Sequence, residues 1–125
     1  SLKGNYRFYK DISQPKMYEL FYETDLALTA AGNTLYELAF FGVPSIVICH
    51  HENHEKVANK FHEIEAAINL GIGKDIDEDS IVLATKSLLN NSKKRREVSN
   101  NARLVVDGYG TNRIVDRIVS NITVK

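Results

Sequence analysis

Two short polar loops of this chain carry side chains suited to an anionic, oxygen-rich ligand. The first is Ala30-Ala31-Gly32-Asn33-Thr34, with Glu37 three residues further on, and the second is His50-His51-Glu52-Asn53-His54-Glu55. In the first, small residues let a phosphate approach the backbone, and the free N–H groups of a helix start point at it. That arrangement suits a diphosphate. A glycine here also serves packing alone, and Asn33 and Thr34 are both ordinary helix caps. Glu37 has two competing roles. It can close a capping box with Thr34, reaching back to a helix-start N–H. It can instead accept from a ribose 2′,3′-hydroxyl pair, since a carboxylate takes two donors at once.

The histidine loop invites a metal reading, but the spacing argues against one. His51-Glu52 is followed by histidine after one residue, not the two of a zinc protease, and Asn53 as a helix cap separates His50 from His54. No metal and no cofactor are expected. A polar loop at a strand end, facing the same crevice as Gly32, fits better. Solvated loop histidines are the alternative for His50 and His51, and His62 reads as helix surface. Gly71-Ile72-Gly73-Lys74 lacks the upstream glycine and the Ser/Thr of a phosphate loop, and neither it nor Gly108-Tyr109-Gly110 completes a dinucleotide fingerprint. No nucleophile with a positioned base is evident: Ser45 falls in an apolar strand and Cys49 has no partner. Any catalytic base is expected from outside these residues.

The elements that position these loops follow from apolar spacing. Residues 26–29 read as a short strand, broken at Gly32. Leu35, Leu38, Ala39 and Phe40 give the next helix an apolar face, and Gly42 and Pro44 end it. Residues 45–49 are an uncharged, largely β-branched run, the mark of a strand buried on both faces of a parallel sheet. Upstream, the aromatic-rich residues 6–11 read as a strand, and Ser13 with Pro15 starts a helix with Met17, Leu20 and Phe21 on one side. Downstream, Asn53 caps a helix with Val57, Ala58, Phe61 and Ile64 inward. Residues 67–70 are a strand candidate closed by Gly71. Asp77 caps residues 78–89, and Ser92 starts a helix whose basic run, residues 93–96, reads as solvated while Val98, Ala102 and Val105 or Val106 face inward. Thr111 or Asn112 caps a last helix lined by Ile114, Val115, Ile118, Val119 and Ile122. The alternation predicts an α/β fold: a doubly wound parallel sheet with helices on both faces and a helical C-terminus. In such sheets ligands collect at the carboxyl ends of the strands, where both polar loops fall.

Composition sets the bounds. The 125 residues make one domain, and 16 basic residues cancel 16 acidic ones, so no field draws nucleic acid or an anionic membrane. No apolar run is long enough to span a bilayer, and residues 1–7 lack the apolar stretch of a signal peptide. The single cysteine, Cys49, reads as a buried hydrophobe in a reducing cytoplasm. The opening Ser1-Leu2, without methionine, points to a piece of something longer.

The stretch AAGNTLYELAFFGVPSIVI followed by HHENHEKVANKF, with the closing VVDGYGTNRIVDRI, resembles the C-terminal nucleotide-sugar-binding domain of GT-B fold proteins. It is most similar to the UDP-sugar hydrolase of pseudaminic acid biosynthesis and to spore-coat polysaccharide biosynthesis proteins, and more distantly to the peptidoglycan N-acetylglucosaminyltransferase. The resemblance implies a Rossmann-like half of a GT-B fold holding a UDP-sugar. It implies Gly32, Asn33 and Thr34 around the diphosphate and Glu37 on the ribose. Asn53, His54 and Glu55 would lie near the diphosphate and sugar, where His54 departs from the more usual glutamine, and uracil would lie against the peptide around Ile12 to Gln14. Relative to that family, the first strand and helix of the domain are absent, as is an N-terminal domain that in the hydrolase supplies the catalytic histidine. The chain is therefore expected to be an inactive donor-binding fragment whose truncated surface can self-associate. The expected parent is a hydrolase. The alternatives are a UDP-sugar glycosyltransferase, a hydrolase fused to a sugar cytidylyltransferase, a non-catalytic partner module, or a domain whose Gly32 and Glu37 serve only packing and capping.

Overall fold

A computed structural model describes residues 4–122; the Ser1-Leu2 opening lies outside them. The elements in chain order are α1 (Gln14–Glu23), β1 (Ala27–Thr29), α2 (Asn33–Phe41), β2 (Ser45–Cys49), α3 (Glu52–Glu63), β3 (Ile68–Ile72), a 3-10 turn (Gly73–Asp75), α4 (Glu78–Leu89), α5 (Ser92–Val105) and α6 (Gly110–Asn121). The strands form one parallel sheet in the order β1-β2-β3. Parallel pairing sends all three carboxyl ends to one edge, which therefore gathers the loops after β1, β2 and β3.

The central strand sets the core. Val47 and Cys49 join Leu35 and Ala39 of α2, Ala58 and Phe61 of α3, and Ala102 of α5 in one buried cluster. Leu28, Ile46 and Ile68 stand in register on the opposite face. Ile46 is fully buried, whereas Leu28 on the edge strand is 51% exposed. A second cluster, Phe21, Leu38 and Val43, fastens α1 to α2, with the rings of Tyr18, Phe21 and Phe41 5.3–6.4 Å apart. Gly42 closes α2 in the left-handed region at φ 69°, and a Cβ there would run into Arg103 and Ser99 of α5. That close approach seats α5 against the end of α2.

Several expectations need correction. Residues 6–11 form no strand, and Phe8 is 95% exposed. Aromatic β-propensity measures fit to a half-buried pleated surface, and among the described residues no strand lies alongside to supply one. Phe40 is 48% exposed. It sits one residue past the stripe of Leu35, Leu38 and Ala39, about 100° round the helix from Ala39. Ile64 falls at the end of α3 and is exposed rather than inward. β3 runs on through Gly71 to Ile72, because a register shift opposite Val47 and Cys49 absorbs an extra residue, with Gly71 at φ 100°. The basic run of α5 is more than a solvated face. Lys94 pairs with Glu65 at 2.8 Å, and Arg95 Nη1 donates to the carbonyls of Leu88 and Leu89, each at 2.6 Å, closing the end of α4. The apolar side of α6 is present as expected, but Ile114, Val115, Ile118 and Val119 are 51–63% exposed.

Candidate functional site

The edge formed by the strand carboxyl ends carries most of the site residues picked out from the sequence. After β1 the chain turns at Ala31 and enters α2 with Gly32 as N-cap, its carbonyl accepting from the Leu35 N–H at 3.1 Å. Asn33 and Thr34 were expected as caps, but they lie inside the first turn and no side chain caps the helix. The N–H groups of Asn33 and Thr34 therefore have no partner among the described residues, and no acidic residue sits in this turn to offset the positive end of the dipole. Gly32 has φ −100°, which any residue adopts, and a Cβ built on it would meet nothing within 4 Å. Neither backbone conformation nor packing requires glycine here, in contrast to Gly42.

Moving the N-cap to Gly32 also changes Glu37. The capping-box partner of a helix starting there would be Leu35, so Glu37 is not tied to the helix start. Its side chain is half-buried and has no hydrogen-bond partner among the described residues. It lies one turn beyond Asn33 and Thr34 on the same helix face. There it lines a largely apolar cavity of about 320 Å³, with Tyr18 of α1, Tyr36, Phe40 and Phe41 of α2, and Val106 and Gly108 of the α5–α6 turn. Sequence reasoning treated these aromatics as helix faces or left them unassigned; their convergence on Glu37 depends on how α1 and the 106–108 turn fold against α2.

After β2, α3 begins at Glu52 with His51 as N-cap, so Asn53 is a first-turn residue and not the expected cap. The His51 carbonyl accepts from the N–H groups of His54 and Glu55, at 3.0 and 3.3 Å. Glu52 and Glu55 both sit in this first turn and offset its dipole, so this helix start is less receptive to an anion than that of α2. The His51 and His54 rings are 5.4 Å apart, and Nδ1 of His54 is buried with no hydrogen-bond partner among the described residues. A second, polar cavity of about 370 Å³ opens on this edge, lined by His50, His51, Glu52, Asn53, Ile72 and Lys74. Among the described residues no group of three or more His, Cys, Asp and Glu has the arrangement to hold a metal ion.

Behind the edge, Asn69 acts as a knot that no local pattern announces. Its Oδ1 accepts from the Gly71 N–H at 2.9 Å and from Cys49 Sγ at 3.6 Å, and its Nδ2 donates to Asn59 Oδ1 at 2.8 Å. Its N–H donates to His62 Nδ1 at 3.1 Å, so His62, read as plain helix surface, pins β3 to α3. Cys49 is buried as expected; burial first, and then nearby Glu55, push its thiol pKa up. Ile12 lies outside both cavities, partly buried between Asp11, which adopts φ 52°, and the Ser13 N-cap of α1.

Comparison with known proteins bears on the fold. No family model matches the chain. The spore coat polysaccharide biosynthesis protein SpsG of Bacillus subtilis (strain 168) is 30% identical over 107 residues, covering 85% of this chain and 32% of SpsG. The crystal structure of MurG from Acinetobacter baumannii matches 83% of the chain and 30% of its own length, with a TM-score of 0.73 and 24% identity. The chain thus spans about a third of the length of each. The likeness to MurG establishes the fold as α/β, a parallel sheet flanked by helices that matches part of a GT-B fold. Among the described residues no helix is long and apolar enough to cross a membrane.

Proposed function

We propose that this chain is the donor-binding part of a UDP-sugar enzyme in polysaccharide or glycan biosynthesis. The observation that carries the reading is Gly32. It is a glycine that neither its φ nor its neighbours require, set before an uncapped helix start with no acid in its first turn. A phosphate lying against that backbone accounts for it. Glu37, untied from the helix start and facing an aromatic-walled cavity, has the acceptor pair that a ribose diol needs. Asn53, His54 and Glu55 stand on the neighbouring strand end, where the sugar would reach.

The sequence similarity to SpsG, a spore coat polysaccharide biosynthesis protein, supports a role in making a surface glycan. Within that role the pseudaminic-type hydrolase is one reading, in which water attacks the anomeric carbon and UDP leaves. The fold shared with MurG supports a transferase equally well, with an acceptor hydroxyl in place of water. In either case this part holds the departing UDP, and open amides at the α2 start would stabilise its charge. The acceptor side and the catalytic base belong to the parent protein's remaining length.

Titration calorimetry of UDP and 2′-deoxy-UDP into the wild type and Glu37→Gln tests the reading. Wild type should prefer UDP, and Glu37→Gln should weaken UDP by about tenfold and erase the preference, consistent with loss of one charge-assisted contact. A folded wild type that binds neither nucleotide, or a variant that keeps the preference, would overturn it.

A further inference from the structure

The proposed site has an unbalanced charge account. Its carboxylates are Glu37, Glu52 and Glu55, yet a nucleoside diphosphate brings two or more negative charges of its own. Open amides at the α2 start serve a phosphate lying directly on them, but the next strand end over is the α3 start, where Glu52 and Glu55 repel an anion. Adjacent strands lie about 4.8 Å apart, so a diphosphate laid across the ends of β1 and β2 must meet that repulsion.

Lys74 is a cation on the wall of the polar cavity at this edge. It sits in the 3-10 turn that follows β3 and lines the same polar cavity as His50, His51, Glu52 and Asn53. It has no ion-pair or hydrogen-bond partner among the described residues, unlike Lys94, which Glu65 holds. Among the described residues the cavity wall contains no other lysine and no arginine. The fold also takes trouble to bring this turn to the edge. The register shift in β3, the positive φ of Gly71 and the Asn69 contacts to Gly71, Cys49 and Asn59 all fix the last residues of β3 just before it.

We propose that Lys74 is the positioning cation for the distal phosphate of a bound nucleoside diphosphate, and so selects diphosphates over monophosphates. This rests on the nucleotide reading above and adds a residue and a specificity to it. An ammonium acts here as a flexible point charge, able to reach from the third strand end to a phosphate over the second. The proximal phosphate stays on the α2 amides and does not need it.

The test compares UDP with UMP by calorimetry on the full 125-residue chain, for wild type, Lys74→Met and Lys74→Arg. Lys74 is exposed, so folding should survive both changes, checked by circular dichroism. The expected result is a roughly tenfold loss of UDP affinity in Lys74→Met with UMP affinity within about twofold of wild type, and recovery of most of the loss in Lys74→Arg. If Lys74→Met weakens both nucleotides equally or changes neither, the Lys74 assignment fails while the nucleotide site stands. If wild type binds neither UDP nor UMP, the nucleotide reading itself is wrong and this assignment falls with it.

Discussion

Replacing Gly32 by alanine separates a glycine kept for a ligand from one kept for the fold. At φ −100° the new methyl group causes no backbone strain, and it points into space with no neighbour within 4 Å. Alanine is a poorer N-cap than glycine, which costs up to about 1 kcal/mol, and it narrows the unfolded ensemble, which returns about 0.4–1 kcal/mol. The net change in stability should therefore lie within about 1 kcal/mol of zero. Gly42→Ala is the control. There φ is 69° and the new methyl group collides with Arg103 and Ser99. The left-handed conformation alone costs about 1–2 kcal/mol, and moving the exposed Arg103 side chain adds a smaller increment. Urea unfolding at pH 7 should show a clear fall in midpoint for Gly42→Ala and little change for Gly32→Ala. UDP titration should show the reverse, with Gly32→Ala losing at least about tenfold, or about 1.4 kcal/mol, because the methyl group occupies the approach to the amides. If Gly32→Ala unfolds as early as Gly42→Ala and binds UDP as wild type does, Gly32 is a structural glycine and the phosphate argument collapses.

Other parts of the structure make sharper claims about stability. The Asp77 carboxylate accepts from the Ser80 N–H at 2.7 Å, and hydrogen bonding from Ser80, its side chain first and then its N–H, lowers the carboxyl pKa. A depressed carboxylate pKa contributes stability that is present above the unfolded value, about 4, and is lost as pH falls through the folded value. Asp77→Asn keeps a capping oxygen but does not titrate, so the drop in urea midpoint between pH 6 and pH 3 should be shallower than in wild type; an identical drop would remove Asp77 from the acid response. Cys49 is almost fully buried with a raised thiol pKa, so a thiol reagent should label it only at the rate of unfolding. Fast labelling in native buffer would contradict the packing of β2. Arg95→Met leaves the carbonyls of Leu88 and Leu89 without their charged donor and should cost about 1–2 kcal/mol, discounted because one carbonyl faces water. Hydrogen exchange should then rise at the end of α4, and an unchanged pattern would show that water replaces the guanidinium at no cost.

The parallel sheet was legible because its signal is local and redundant. An uncharged run at residues 45–49 between a glycine-stopped helix and a polar loop has few homes other than a central parallel strand, and Asp77 marks α4 from a single capping position. What lies between elements was not legible. The Asn69 contacts join residues 10 and 20 positions away, and Lys74 reaches the polar cavity only because a register shift sets where β3 ends. The aromatic residues 6–11 misled for a related reason: strand propensity describes a surface that some other strand must provide, and along the chain there is no way to see whether it does. The same holds for α6, whose periodicity gives an apolar side but not the surface that covers it.

Glu37 shows how a one-residue uncertainty at a helix start becomes a question of function. In sequence, Thr34 followed three residues later by Glu37 satisfies the capping-box pattern, and in that geometry the carboxylate is spent on the backbone. Helix starts are fixed by whichever carbonyl first accepts an intrahelical bond, and here that carbonyl is Gly32, not Asn33 or Thr34. A start at Gly32 puts Leu35 at the box position, where it is buried in the main cluster instead. Burying Leu35 on the sheet is worth about 2 kcal/mol or more, against about 1 kcal/mol for a side-chain cap, so the core sets the register of the helix and the cap yields. The consequence reaches the site directly: α2 begins with the Asn33 and Thr34 amides open, and the carboxylate that could have closed the box faces a cavity with no hydrogen-bond partner among the described residues.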